Sequence, residues 1–101
     1  MALTTPMKKI SIILERVLKD DIIDLIKKNG AKGWTLTEVN GEGSRGMRAS
    51  EFEGRNFQID TIVNAECADR ILQQLSASYF SHWSLVVYLS DIQILRAEKY
   101  Q

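Results

Sequence analysis

One cysteine, one proline and one histidine are all that the chain has of these residues, and no apolar run in it approaches the ~20 residues that a bilayer-spanning helix needs. Each shortage closes off a class of protein. A lone Cys67 excludes an internal disulfide framework, and the opening "MALTTPMKK" carries no apolar signal segment, so the reducing cytosol is the expected compartment. Residues 1–6, ending at Pro6, read as a frayed lead-in. The single histidine, His82, stands beside Trp83 with no carboxylate or cysteine near it in sequence, which fits a surface or interface residue better than a general base. Excess charge is absent too: 13 basic residues cancel 13 acidic ones, leaving no global field to draw the chain onto nucleic acid or an anionic membrane. Any anion site must therefore be local. What is present, 45% apolar and 26% charged residues in 101, is ordinary for one small globular domain spanning 1–101.

The hydropathy pattern predicts six or seven elements. "KKISIILE" (8–15) is β-branched and short, bounded by charge, and reads as a central strand buried on much of both faces. In the segment 19–29 Leu18, Ile22, Leu25 and Ile26 recur at helical spacing, with Asp20 and Asp21 at the start, Lys27 and Lys28 at the end, and Asn29-Gly30 as a left-handed stop. "GWTLTEVN" (33–40) and "RNFQIDTIVN" (55–64) alternate as strands, the second placing Phe57, Ile59, Thr61 and Val63 on one face. Asn64 can cap a second helix over 65–79 with the stripe Ala68, Ile71, Leu72, Leu75 and Tyr79. "WSLVVYLS" (83–90) is a buried strand and "DIQILRAE" (91–98) a short strand or strand-like tail. The order is β-α-β-β-α-β, so the expected class is α+β, a ferredoxin-like sandwich.

Between the second and third strands lies "NGEGSRGMRASEFEG" (40–54), which holds four of the six glycines and almost no apolar bulk. Gly41, Gly43 and Gly46 leave backbone N–H groups free to converge on an anion, Ser44 adds a hydroxyl, and Arg45 and Arg48 bring two guanidiniums within reach of one phosphate. The bland reading is a surface loop in which Arg45, Arg48 and Arg55 are balanced by Glu42, Glu51 and Glu53. A Walker loop is excluded, because the spacing and the Lys-Ser/Thr ending are missing and no helix follows. The aromatic pattern of an RNA-recognition module is missing from "KKISIIL" and "RNFQIDTIV", so nucleic acid is not an expected partner. Cys67 falls early in the second helix, where a single cysteine usually serves as a small apolar packing residue, and Cys67 and His82 form no recurring metal-ligand spacing.

The stretch "MKKISIILERVLKDDIIDLIKKNGAKGWTLTEVNGEGSRG" (7–46) resembles, without a gap, the amino-terminal half of the PII signalling superfamily, in which an "MKKI" strand and "G-x-x-G-M-T-V-x-E-V-x-G-x-G-R-Q" occur in the same order. The segment T-G-x-x-G-D-G-K and the modified loop tyrosine of nitrogen-regulatory members have no counterpart here, whereas "GAKGWT", "GSRGMR" and "YFSHWSLVVY" look like the PII-like carbon-sensing branch, of SbtB and carboxysome-associated CPII type. The resemblance implies a homotrimer that binds adenine nucleotides (cAMP, AMP, ADP or ATP) in clefts between subunits, with bicarbonate as a further candidate ligand. It makes residues 41–54 a T-loop that engages a partner, a bicarbonate or other inorganic-carbon transporter, at which the cytoplasmic protein would meet the membrane. Carried over by position, Arg45 and Arg48 are phosphate ligands, Gly41, Gly43 and Ser44 the loop base, and Thr35 the residue near adenine. Ser84 and Leu85 stand where a neighbouring loop offers backbone to phosphate, with Leu85 in place of the branch's glycine. No resident cofactor, no catalysis and no redox switch of the cysteine-extension kind are expected. Two other readings remain at this level: slow nucleotide phosphohydrolysis at the same site, and a metal-binding trimer resembling CutA proteins, which requires Cys67 or His82 to meet at an interface.

Overall fold

The computed structural model describes residues 3–40 and 56–96. Strand β1 (Thr5–Glu15) leads through a 3-10 turn (Arg16–Leu18) into helix α1 (Lys19–Lys28), and strands β2 (Thr35–Val39) and β3 (Asn56–Val63) follow. Helix α2 (Ala65–Ser78) and strand β4 (Val86–Ile94) complete the order. The strands form one sheet in the order β2-β3-β1-β4 with every pairing antiparallel, which is the ferredoxin-like arrangement expected.

Alternation along β1 divides the molecule into two faces. Ile10, Ile12 and Leu14 point to the side where Ile59 and Val63 lie opposite them, and this side takes both helices. Ile22 and Ile26 from α1 and Ala68, Ile71 and Leu75 from α2 fill that core, the isoleucines and Leu75 with no exposed surface at all. Each such side chain is worth about 1.5–3 kcal/mol in burial, so the helix stripes rather than helix propensity hold the layer in place. The opposite face carries Met7, Ile13, Val86, Tyr88 and Ile92, and no helix of the described residues packs there.

Two boundaries differ from expectation. Thr5 and Pro6 are not a frayed lead-in but the first rungs of β1, paired with Ile94 and Gln93. Proline is tolerated there because β3 begins to pair only at Lys8, leaving the strand start with a neighbour on one side. The segments 83–90, expected as a buried strand, and 91–98 are one continuous strand from Val86 to Ile94 with 83–85 outside it, and none of its residues is buried because β4 lies at the edge of the sheet. Ser90-Asp91 suggested a break, but the long β1 supplies partners across it, and the Asp91 carboxylate is paired with the Lys8 ammonium directly opposite. The 3-10 turn at Arg16–Leu18 had no sequence signal.

Both helix termini behave as the sequence suggests. Asn64 accepts the Cys67 backbone N–H at 2.8 Å and so caps α2. At the end of α1 the Ala31 N–H reaches Ile26 O and the Gly30 N–H reaches Lys27 O, a Schellman closure with Gly30 at φ 109°. A β-carbon on Gly30 would come 3.3 Å from Arg70 Nη2 and 3.4 Å from Cys67 Sγ. Gly30→Ala is therefore expected to lower unfolding stability by about 1–2 kcal/mol, read from the urea midpoint, because left-handed backbone and close contact oppose the new methyl together.

Candidate functional site

Thr35 opens β2, an edge strand supported laterally by β3 alone. The register sets Thr35 opposite Asp60 of β3, Asp60 opposite Ser11 of β1, and Ser11 opposite Tyr88 of β4, one row across the helix-free face. Within the row the Ser11 hydroxyl donates to Asp60 Oδ1 at 2.6 Å, and Gln58 Nε2, two residues along β3, donates to both Asp60 oxygens at 3.1 and 3.2 Å. These donors fix the Asp60 carboxylate one strand away from the exposed Thr35 hydroxyl. The row offers carboxylate and hydroxyl acceptors to a ligand that carries N–H donors, on a face that mixes apolar residues such as Ile13 and Val86 with polar ones such as Lys9 and Thr37. Asp60, Ser11 and Gln58 were not singled out from sequence, although the alternation of β3 already set Gln58 and Asp60 opposite to the core stripe.

Gly41, Gly43, Ser44, Arg45 and Arg48 lie outside the described residues. The residues that flank them are described: Val39 pairs with Asn56, the last described rung of the β2–β3 hairpin. Ser84 and Leu85 immediately precede β4, Ser84 exposed and Leu85 packed against the core. Continuing the β1–β4 register past Ile13↔Val86 sets Ser84 level with Glu15, whose other neighbour is Asn56. Val39 and Ser84-Leu85 thus share one end of the sheet but sit at its two opposite edges. Three strand spacings of ~4.8 Å separate those edges by roughly 14 Å. Of the described candidates, Thr35 lies on one edge strand and Ser84-Leu85 stand before the other, so one subunit does not bring these together.

The remaining titratable candidates are held elsewhere. His82 is exposed in the turn after α2. Cys67 is 3% exposed, with its thiol donating to Asn29 O at 3.0 Å, inside the subunit and away from any surface a second copy could reach. Among the described residues no group of three or more His, Cys, Asp and Glu side chains is placed to hold a metal ion. A cleft of 310 Å³ between Pro6–Lys8, Ala65 and Asp91–Gln93 lies at the far end of β1 and β4 from Ser84, and its Lys8 and Asp91 side chains are already paired with each other.

The family model for nitrogen regulatory protein P-II matches residues 7–99. The chain belongs to the P-II family. Among solved structures, this P-II family member is 40% identical to a protein of Thermus thermophilus described as PII-like, with a TM-score of 0.86 and coverage of 99% of this chain and 100% of that one. It is 33% identical to CPII of Thiomonas intermedia K12 bound to ADP and bicarbonate, at a TM-score of 0.87 and the same coverages. A second CPII structure, bound to ADP, AMP and bicarbonate, matches at 31% identity, a TM-score of 0.87 and 98% of each chain. The P-II fold observed here is thus the one the resemblance implied.

Burial pushes the Cys67 thiol above its ordinary value, with the Arg70 guanidinium opposing in part. A raised value means less thiolate at any given pH, and the thiolate is the reactive form. Iodoacetamide at pH 8 is therefore expected to alkylate the folded protein several-fold more slowly than the urea-unfolded chain, as read by mass spectrometry. Equal rates would contradict the enclosed position of the thiol.

Proposed function

We propose that this P-II family member is a non-catalytic signalling protein that binds adenine nucleotides between the subunits of a homotrimer. The observation that carries the reading is the likeness over 99% of the chain to CPII bound to ADP and bicarbonate. The geometry supports it: Val39, which leads into the segment 41–54, and Ser84-Leu85 lie at opposite edges of one sheet, and packing of copies through their helix-free faces would let one subunit's β4 end meet another's β2 end. That face is apolar enough to associate, with Val86 54% and Tyr88 45% exposed in the single chain.

In this site Arg45 and Arg48 pair with phosphate, Gly41, Gly43 and Ser44 supply backbone and hydroxyl donors, and Thr35 with the neighbouring Asp60 carboxylate meets the N–H groups of the base. Ser84 and Leu85 of the adjoining subunit close the phosphate side. Nucleotide phosphate then selects one arrangement of the segment 41–54 and changes the surface offered to a partner, a population shift driven by differential affinity. The partner is a membrane transporter of bicarbonate or other inorganic carbon, and bicarbonate is a second ligand. The protein works in the cytoplasm and reaches the membrane through that partner; among the described residues no helix is long and apolar enough to cross it.

Calorimetric titration with cAMP, AMP, ADP and ATP tests the reading. Wild type is expected to bind at least one adenylate with a stoichiometry of one per chain, and Arg45→Ala/Arg48→Ala to bind it at least tenfold more weakly, each lost charge-assisted contact being worth about 1.5–3 kcal/mol. Undiminished binding by the double variant would remove both arginines from the site.

A further inference from the structure

Thr61 is the one polar residue in the buried stripe of β3, between Ile59 and Val63, and it is 1% exposed. Valine has the same shape without the cost of burying a hydroxyl, and residues on either side show that the position suits apolar side chains. Its hydroxyl has a specific use: it donates to Gly33 O at 2.7 Å. Gly33 belongs to the connection from α1 to β2, which has no regular structure between the Schellman closure and Thr35. Space around Gly33 is open, so no side-chain packing holds it. The connection is tied at two carbonyls: Asn29 O accepts from Cys67 Sγ and from Arg70 Nη2 at 2.9 Å, and Gly33 O accepts from Thr61. The second tie lies two residues before Thr35.

We infer that Thr61 is a positioning residue for the nucleotide site: its hydroxyl, through Gly33 O, sets where β2 begins and thereby aligns Thr35 with Asp60. The inference rests on the nucleotide-binding reading above. Neighbouring residues of β3 act on opposite faces, Asp60 on the ligand side and Thr61 on the core side, so one strand holds both the carboxylate and the tether of the strand facing it. Thr35, Leu36 and Thr37 are exposed, and β2 pairs with β3 alone. Without the tether the half-exposed Gly33 carbonyl can turn to water, and the strand start drifts while the core keeps its volume.

Two substitutions separate positioning from stability because they act in opposite senses. Thr61→Val keeps the shape and removes the hydroxyl; Thr61→Ser keeps the hydroxyl and removes a buried methyl. The valine variant is expected to unfold at or above the wild-type midpoint yet bind ADP about five- to tenfold more weakly, the net worth of one hydrogen bond. The serine variant is expected to unfold earlier and bind ADP as wild type does. Amide hydrogen exchange at residues 33–37, measured without nucleotide, should quicken in the valine variant alone. Affinity that follows stability across the pair, or unchanged exchange and affinity in Thr61→Val, overturns the inference. Failure of wild type to bind any adenylate would instead remove the functional reading, and the exchange measurement would still decide whether Thr61 positions the strand.

Discussion

Everything else in this molecule depends on β1 being hydrogen-bonded along both of its edges. An interior strand of 11 residues sets the level of β3 on one side and β4 on the other, and through β3 the level of β2. Its alternation also decides which residues enter the core and which face outward, so a slip by one residue would exchange Ile12 with Ser11 and empty both faces of their purpose. The rows that cross the sheet are the structural unit of the candidate site. Thr35, Asp60, Ser11 and Tyr88 come from four strands and meet only because three registers agree.

The second organising contact is the junction of the two helices at Asn29. Its backbone carbonyl receives the Cys67 thiol and the Arg70 guanidinium, and its side chain exchanges hydrogen bonds with Gln74 at 3.2 Å in each direction while donating to Leu25 O at 2.8 Å. Among the described residues no buried side-chain nitrogen or oxygen lacks a partner; Asn29 and Cys67 are buried here, while the exposed Arg70 and Gln74 reach in from the surface to pair with Asn29. It also explains the lone cysteine. Cys67 serves as packing and as a weak donor to a helix end.

Legibility from sequence followed the range of the interaction involved. The stripes Ile22/Ile26 and Ala68/Ile71/Leu75 and the caps at Asn64 and Gly30 are local, spanning a few residues, and were read correctly. Pairing between distant strands is not local. The union of 83–90 with 91–98 was missed because Ser90-Asp91 resembles a turn until Lys8 is known to lie opposite, and Thr5-Pro6 looked frayed until Gln93 and Ile94 were known to reach it. For the site, Thr35, Ser84 and Leu85 could be proposed from resemblance, but their separation across opposite edges is a property of strand order. Asp60 and Ser11 escaped notice because each is ordinary alone and joins a polar row only in register.

The Val39–Asn56 rung has one more consequence, for how this chain can vary. In a tight hairpin the turn type and its residue count set the register, so adding or removing a residue shifts every pair below it. Here β3, against which Thr35 to Val39 pair, is held by its own core stripe and by its contact with β1. Insertions or deletions of either parity beyond that rung leave the sheet unchanged, and closing a longer loop adds only about 0.6 kcal/mol per doubling of its length. The stretch between Val39 and Asn56 is thus free to change in length and composition across evolution without renegotiating the strands that flank it.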